Sequence, residues 1–510
     1  MPNKPKFSVV WFKRDLRITD HEPLAKASKQ NLPILPLYVV EPDYWQLPDT
    51  SKRHWYFIHD SLVDLQNDLS QKGAPLCVCT ADIVSVFAFI RSRFGLFNLF
   101  SHQETGNDWT YQRDKMVLDW CKDQGIIWDE SPSNGVVRRL MNRDDWAALR
   151  HATMRQPLIM PPSTLTPLKD INPGQIPSKD HALFGQTLIG NVQKGGRSEG
   201  VNVLKSFLND RGQRYLLTLS KPGVSARHCS RLSAHIAYGT LSIREIEQET
   251  QRRIKELSLT NSEPNAYFIR NLRAFLSRLA WRCHFVQKLE QQPCIEFRCM
   301  HPAFEGMRED SFNDAYFDAW KQGRTGYPLV DACMRSLHQN GWITFRMRAM
   351  LVSFASYHLW LDWRQTAPFM AGLFTDYEPG IHYSQFQMQS GVTGINAVRI
   401  YNPLKQSIDQ DPNGIFIKRY VPELKNISPT WIHEPWRNPQ VLTAYPLPIV
   451  DHALAIKQAR HQISIRRNSQ GFHEEETAVV KKLASRKGKV KPIAKKSDKT
   501  TPHTQLTFKF

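Results

Sequence analysis

Short apolar runs alternate with polar, helix-compatible segments along the first third of the chain. Runs of this length that are apolar at every position are typical of strands buried on both faces of a parallel sheet. The predicted strands are Ser8–Phe12, Pro33–Val40, Pro75–Cys79, Leu96–Phe100 and Gly125–Trp128. Helices are predicted between them, for example at Arg53–Gln71 and Trp109–Gln124. The alternation predicts a doubly wound α/β domain over residues 1–135.

The pattern changes twice further along the chain. Six prolines lie within residues 156–178, a density that blocks helices and central strands, so we predict an interdomain linker over residues 136–200. Long amphipathic stretches such as Ala266–Glu290 then predict an all-helical domain over residues 201–465. Beyond it the chain is polar, basic and poor in aromatic residues, which predicts a disordered basic tail over residues 466–510. The predicted fold class is therefore α/β plus all-α.

Composition argues against several classes of protein. The chain has 510 residues, of which 41% are hydrophobic, enough for more than one globular core. No uncharged apolar run approaches the length of a membrane span, and the N-terminus lacks a small-residue cleavage site, so we expect a cytoplasmic protein. The eight cysteines include no Cys-x-x-Cys pair, which predicts reduced, structural thiols and no metal site.

The net charge of +19 is concentrated near the C-terminus. Ten Lys or Arg residues and one Asp lie in residues 481–510, so about half of the excess charge belongs to the predicted tail. A basic surface favours a polyanionic partner, most often nucleic acid, whereas a basic tail also serves simply to keep a protein in solution. The charge alone does not decide between these two interpretations.

Two stretches carry candidate chemistry for an anionic ligand. Arg346 and Arg348 lie within an apolar run that follows the turn Thr325–Pro328, and a buried arginine requires an anionic partner. Hydroxyl and backbone N–H groups in Cys229–Ser233, at a predicted helix start, suit a pyrophosphate. An ordinary serine N-cap is the alternative for this second stretch. Together the two stretches predict an anion bound inside the helical domain.

Several motifs in the same order closely resemble those of the photolyase/cryptochrome family. They are Val10–Arg17, Cys229–Ser233, Trp281-Arg282, Thr325–Pro328, Asp376–Glu378, and Tyr420–Leu424 with His433–Trp436. The resemblance spans roughly residues 7–440 and implies a helical domain that binds FAD, with Arg348 paired to Asp376. The FAD contacts that it implies are Tyr215, Ser230, Arg231, Leu232, Ser233, Arg348, Asp376, Glu378 and His382.

The resemblance also implies an activity and a partner. We expect blue-light-dependent repair of UV-induced pyrimidine photoproducts in DNA by electron transfer from reduced FAD, the activity of a photolyase-like lyase. The candidate catalytic residues are His382, Trp281 and Trp363, and the candidate DNA contacts are Arg278, Trp281, Arg346 and Gln406. The resemblance places His382 at the residue that faces flavin N5, where it could tune flavin protonation or act as a general acid, and a satisfied structural histidine is the alternative. A cryptochrome-like photoreceptor without repair activity and a light-independent module that binds flavin and DNA are the alternatives.

The lesion and electron-transfer positions depart from the family pattern. Arg278 stands where cyclobutane-dimer photolyases have Glu, and Phe345 stands where they have Asn. Three tryptophans commonly carry electrons to the flavin. Only the middle one is present, as Trp363, with Phe386 and Asp310 at the other two positions. The sequence therefore leaves open which lesion is used and which aromatic residues supply electrons.

Three further expectations concern cofactors and partners. The resemblance implies an antenna chromophore, a folate or a deazaflavin, as a candidate second cofactor of the N-terminal domain, with Glu104 as its candidate contact. The last residues, Gln505–Phe510, resemble peptides that bind bacterial sliding clamps, whose alternating apolar side chains enter pockets on the partner. We expect the protein to be a monomer.

Overall fold

The computed structural model describes residues 4–185, 190–260, 262–438 and 445–485 of the chain. Its N-terminal part contains five strands, β1 (Phe7–Phe12), β2 (Ile34–Val40), β3 (Cys77–Thr80), β4 (Phe97–His102) and β5 (Trp128–Ser131). All pairings are parallel, and the order is β3-β2-β1-β4-β5. The direction of winding reverses between β1 and β4, so the carboxyl ends of these strands form the topological switch point of a doubly wound sheet.

Helices cover both faces of this sheet, as the alternation of strands and helices predicts. They are α1 (Glu22–Ser28), α2 (Pro42–Trp45), α3 (Lys52–Gln71), α4 (Ile83–Phe94) and α5 (Asp108–Asp123). Val10 of β1 packs in the core cluster that includes α3, whereas Val9 and Trp11 pack with α4 and α5. Successive residues of β1 thus face opposite cores, and this is why the strand is apolar at consecutive positions.

The predicted linker over residues 136–200 is wrong in part, because it contains a helix and follows the sheet. The helix α6 (Trp146–Arg155) occupies the part of the segment that has no proline. The proline-rich part lies along the edge strand β3, where the Val78 N–H donates to the Pro173 carbonyl at 2.7 Å. Leu165 in the same segment is 7% exposed. A few main-chain bonds and buried side chains therefore fix this segment against the α/β domain.

The rest of the described chain is helical. Its helices are α7 (Arg197–Asn209), α8 (Tyr215–Thr218), α9 (Ser225–His228), α10 (Ser233–Ala237), α11 (Ile243–Ser258), α12 (Glu263–Gln291), α13 (Asp314–Gln322), α14 (Pro328–Asn340), α15 (Phe345–Ser353), α16 (Trp363–Leu373), α17 (Pro379–Ser390), α18 (Pro403–Gln410), α19 (Ile415–Tyr420), α20 (His452–Arg467) and α21 (Phe472–Leu483), with a π-helical turn at Phe354–His358. The α12 and α15 helices both pack against α17. Within the described ranges, no helix combines the length and the apolar character needed to cross a membrane.

The prediction of disorder over residues 466–510 is wrong for the α21 helix. Phe472 at its start is 2% exposed and stacks on His301, with 4.1 Å between ring centres, and Leu483 at its end is fully buried. Two apolar anchors therefore hold a helix whose average composition is polar. The clamp-like motif at Gln505–Phe510 lies outside the described residues.

Candidate functional site

An arginine–aspartate pair joins the start of α15 to the segment before α17. Arg348 donates two hydrogen bonds to the Asp376 carboxylate, at 2.8 and 3.0 Å, and its guanidinium lies 4.0 Å from the centre of the Phe374 ring. Burial alone would raise the pKa of Asp376, but the charge of Arg348 and hydrogen bonds from Arg348 and Ser233 hold that pKa below its usual range. The structure thus brings the two predicted residues together as an ionised pair.

Arg231 is a second cation beside Asp376. Its φ of +60° lies in the left-handed region, and its carbonyl accepts a hydrogen bond from the Gln193 side chain at 2.7 Å. The guanidinium lies 4.2 Å from the centre of the Trp342 ring. Burial lowers the pKa of Arg231 to about 10, although Asp376 acts in the opposite direction. Asp376 pairs with Arg348, and Arg231 forms no ion pair with a carboxylate of the described residues, so this half-buried cation is suited to an anion from outside the chain.

The residues around Arg231 hold its loop in place. The Leu232 N–H donates to Ser230 Oγ at 3.4 Å, and the Leu232 side chain is fully buried in the core. The Ser233 hydroxyl is close enough to Asp376 to help lower the pKa of that carboxylate. Leu232 therefore fixes the loop by packing, whereas Ser230, Arg231 and Ser233 present polar groups at the start of α10.

A second ion pair connects α12 with the start of α17. Arg282 donates to the Glu378 carboxylate, and the two side chains are 10% and 8% exposed. Arg282 Nη1 is buried and has no hydrogen-bond partner among the described residues. An unpartnered buried donor is rare in folded proteins and is expected where an acceptor atom of a ligand completes the site.

These residues fit the FAD that the resemblance implies. Arg231 and the neighbouring serine hydroxyls suit a diphosphate, because they combine a half-buried positive charge with hydrogen-bond donors. Arg348 with Asp376, and Arg282 with Glu378, offer donors and acceptors suited to the polar edge of a flavin ring. Arg231, which has no ion-pair partner among the described residues, and the unpartnered Nη1 of Arg282 are two features of the described site that a bound ligand would satisfy.

His382 on α17 is neutral and enclosed by aromatic rings. Its Nε2–H donates to the Ala367 carbonyl at 2.8 Å, which leaves Nδ1 as an acceptor. The rings of Phe386 and Tyr377 lie 4.6 and 5.2 Å from it, centre to centre. Burial lowers the pKa of His382 to about 3. The geometry therefore favours a neutral histidine held by the protein and argues against the general acid that the sequence left open.

Arg278, one of the candidate DNA contacts, lies beside two aromatic side chains. Its guanidinium lies 4.1 Å from the centre of the Trp281 ring. Burial raises the pKa of the Tyr215 hydroxyl, and the nearby charge of Arg278 acts in the opposite direction. Tyr215 itself is 8% exposed and packs edge-on against Phe207 and Phe275. Arg278, which stands where the family has Glu, is thus oriented by the Trp281 ring. The Tyr215 hydroxyl lies nearby.

The remaining DNA candidates lie together on neighbouring helices. Arg346 on α15 donates to Gln406 Oε1 on α18 at 3.4 Å. Phe345, one residue earlier, is 49% exposed. An exposed aromatic ring beside a cation and an amide is a suitable surface for an unpaired base and its phosphate.

Trp363 is a fully buried side chain at the start of α16. Its ring is 1% exposed, and the Arg364 guanidinium lies 4.9 Å from its centre. The nearby Trp360 has a φ of +54° and lies 4.4 Å from the Arg308 guanidinium. These contacts are consistent with a structural role for both tryptophans. They do not indicate which residues carry electrons to the flavin.

The switch point of the sheet contains a cavity of about 40 Å³. Residues after β1, β4 and β5 line it on one side, and Arg282 and Glu378 line it on the other. Glu104, the candidate antenna contact, lies in its wall and accepts a hydrogen bond from Arg113 at 2.7 Å. Arg113 also pairs with Glu41 and Asp114. The carboxylate of Glu104 is thus engaged within the protein, and the cavity is large enough for only a few water molecules.

Beside this cavity, Asp15 accepts hydrogen bonds from two histidines. His21 Nε2 and His102 Nδ1 lie 2.9 and 2.7 Å from Asp15 Oδ2, close enough for a shared metal ion. His21 Nδ1, however, accepts from the Leu24 N–H at the start of α1. Since Nδ1 is the acceptor, Nε2 of this neutral ring carries the proton and donates to Asp15. Hydrogen bonding therefore accounts for the cluster.

One contact at the site was not identified from the sequence. Tyr377, between the two acids Asp376 and Glu378, donates its hydroxyl to Asp49 of the α/β domain at 2.5 Å. Tyr377 lies inside the Asp376–Glu378 motif, but no pattern in the sequence marked the tyrosine itself. Nothing in the sequence pointed to Asp49.

The chain matches two family models in separate regions. They are described as DNA photolyase, over residues 8–142, and as the FAD binding domain of DNA photolyase, over residues 275–464. A deoxyribodipyrimidine photo-lyase of Vibrio cholerae is 29% identical over 464 residues, which cover 87% of this chain and 96% of the relative.

Solved structures give the same grouping. A Synechocystis cryptochrome superposes with a TM-score of 0.78 at 25% identity, over 90% of this chain and 100% of the other. An archaeal photolyase from Sulfolobus tokodaii, described with two FAD molecules and a novel light-harvesting cofactor, gives 0.74 at 25% identity over 90% and 99%. Together with the charged side chains gathered just before α10 and α17 and on α12 and α15, these matches establish that the chain belongs to the photolyase/cryptochrome family and carries its FAD-binding domain.

Proposed function

We propose that the protein is a light-driven DNA repair flavoprotein that acts on UV-induced pyrimidine photoproducts. The observation that carries the proposal is the position of the Arg278–Trp281 stack. It lies one turn of α12 from Arg282, whose partner Glu378 belongs to the flavin site. A cation and an indole face so close to the flavin residues suit a nucleobase brought next to the cofactor.

Reduced FAD, when bound and excited by blue light, supplies the electron that splits a pyrimidine photoproduct. A base stacked inside a duplex cannot approach residues held within a helical domain, so the lesion has to leave the helix. Trp281 offers a stacking surface for the extruded base, and Arg346 with Gln406 supports the phosphodiester backbone beside it.

Arg278 changes the chemistry that the protein offers to the lesion. A guanidinium donates hydrogen bonds but neither accepts nor releases a proton at neutral pH, unlike the Glu of dimer photolyases. Arg278 would therefore stabilise negative charge on the lesion by hydrogen bonding and electrostatics alone. His382, which stays neutral, would orient the flavin through its Nδ1 acceptor.

A photoreceptor without repair activity is the second candidate, and the side chains at Arg278 and Phe345 favour it. A light-independent module that binds flavin and DNA is the third. Antenna binding, clamp binding through Gln505–Phe510, a monomeric state and a cytoplasmic location remain predictions. An antenna at the switch point would require Glu104 to leave Arg113, because the cavity there is small.

The proposal is tested with purified FAD-loaded protein that is reduced and illuminated with blue light. Oligonucleotides carrying either a cyclobutane dimer or a (6-4) photoproduct are followed by chromatography, with dark samples as controls. We expect light-dependent loss of at least one lesion. Flavin photochemistry without loss of either lesion supports the photoreceptor, and the absence of any photochemistry supports the light-independent module.

A further inference from the structure

A buried phenol–carboxylate pair crosses the domain interface beside the flavin site. The Tyr377 hydroxyl donates to Asp49 Oδ2 at 2.5 Å, and both residues are 3% exposed. The Asn107 side-chain amide donates to the same carboxylate oxygen at 3.1 Å. The pair is therefore dry, short and fixed in direction, with the phenol as donor and the carboxylate as acceptor.

Tyr377 is also placed next to the residues that hold the flavin. It lies between Asp376 and Glu378 in the sequence, and its ring centre is 5.2 Å from that of His382. Its carbonyl accepts a hydrogen bond from Arg14 at 2.6 Å, which fixes the backbone from the side of the α/β domain. An oxidisable ring is thus held firmly at the flavin site, whereas Phe386 occupies the position of the family's proximal tryptophan.

A tyrosine gives up an electron at moderate potential only if its phenolic proton leaves at the same time. Asp49 provides an acceptor for that proton at hydrogen-bond distance. Burial, together with the neighbouring Tyr383 and Asp49, raises the pKa of Tyr377 well above its usual value, so the proton stays on the phenol until the electron departs.

Further aromatic residues lead from this pair towards solvent. Asn107, whose side chain donates to Asp49, is the N-cap of α5 and lies two residues before Trp109. The Tyr44 ring centre lies 5.4 Å from that of Trp109 on α5, and Trp109 is half-buried. Trp109 is therefore a partly exposed aromatic ring close to the pair, where a one-electron donor in solution can deliver an electron.

We propose that Tyr377 is the immediate electron donor to photoexcited, oxidised flavin, with Asp49 as the acceptor of its phenolic proton. One electron passes to the flavin, and the O–H bond of Tyr377 breaks as its proton binds Asp49 Oδ2. A neutral tyrosyl radical and a protonated Asp49 remain. An electron from a small-molecule one-electron donor in solution, delivered by way of Trp109, combines with the proton from Asp49 and restores the phenol. The proposal rests on FAD binding and is independent of repair.

Electron paramagnetic resonance of the illuminated, FAD-loaded full-length protein tests the assignment. We expect a tyrosyl radical that disappears in Tyr377→Phe and falls at least tenfold in Asp49→Asn. Tyr445→Phe is the matched control, because Tyr445 also donates to a buried carboxylate, Asp331, at 2.6 Å, and it should retain the full signal. Flavin absorbance per protein and thermal unfolding of the flavin-free variants show whether each variant binds FAD and folds.

A second experiment labels the residue without changing its contacts. Incorporation of 3-fluorotyrosine at position 377 should add fluorine hyperfine splitting to the radical signal. An unsplit tyrosyl spectrum from that sample, or an undiminished signal in Tyr377→Phe, would overturn the proposal. The same conclusion follows if Trp363→Phe abolishes the photoinduced radical while Tyr377→Phe does not.

Discussion

Replacing Arg348 by methionine removes the charge that keeps Asp376 ionised while preserving most of the side-chain volume. Asp376 would retain the Ser233 hydroxyl and the more distant Arg231. Removing one partner of a buried ion pair costs about 3–5 kcal/mol. Because two favourable groups remain and the Arg348 side chain is 23% exposed, we expect the lower end, about 3 kcal/mol in the free energy of unfolding.

Urea unfolding of the flavin-free protein at neutral pH measures this loss directly. Arg335→Met is the matched control, since Arg335 pairs with Glu423 at 2.8 Å and the two side chains are 21% and 27% exposed. Removing such a partly exposed pair should cost about 1 kcal/mol or less. The comparison separates the effect of leaving the Asp376 carboxylate buried without its partner from the effect of removing an arginine side chain.

The pH dependence provides a check with a defined sign. In the native chain the lowered pKa of Asp376 contributes stability that is complete above the unfolded pKa of about 4 and is lost as pH falls through the folded pKa. In Arg348→Met burial raises the pKa of Asp376 instead, so the folded protein takes up a proton before the unfolded chain does. The difference in free energy of unfolding between the native chain and the variant therefore narrows as pH falls from 7 to 5. Adding Asp376→Asn should recover part of the loss. The reasoning would be refuted if Arg348→Met lost no more stability than Arg335→Met, if that loss did not change with pH, and if Asp376→Asn recovered none of it.

Three other changes test separate parts of the account. Phe472→Ala should cost about 3–4 kcal/mol in urea unfolding, because the ring is buried against His301. His473→Ala, at a side chain that is 87% exposed, should change stability by less than about 0.5 kcal/mol, and equal effects would contradict the anchoring role. His382→Asn should flatten the loss of stability between pH 6 and 5 by about 1.4 kcal/mol per pH unit, because only the unfolded histidine binds a proton there; an unchanged slope would count against the neutral ring. Trp281→Ala should weaken binding to lesion-containing DNA by about 10- to 100-fold, measured by fluorescence anisotropy, and an equal loss on undamaged duplex would contradict a stacking role.

Local patterns predicted much of the architecture. Consecutive apolar residues in β1 identify a strand buried on both faces, and the long amphipathic stretch at Ala266–Glu290 corresponds to α12 (Glu263–Gln291). The pairing of Arg348 with Asp376 followed from the resemblance and is present in the structure. These features could be predicted from the sequence because each is specified by a short segment or by a motif shared with the family.

The features that were missed depend on contacts between distant parts of the chain. The α21 helix needs His301 as a partner for Phe472, and its average composition gives no sign of that contact. Tyr377 and Asp49 are separated by 328 positions, so no periodicity connects them. The neutral state of His382 likewise results from the rings that surround it in the folded chain.

The number of photoproducts removed by each protein molecule tests the central claim most directly. Reduced, FAD-loaded protein is mixed with a tenfold excess of damaged oligonucleotide, illuminated, and the remaining lesions are counted over time. We predict that more than one lesion per protein molecule disappears in the light and none in the dark. A protein that binds the damaged DNA with its flavin reduced, yet leaves both kinds of lesion intact under illumination, would contradict the repair function.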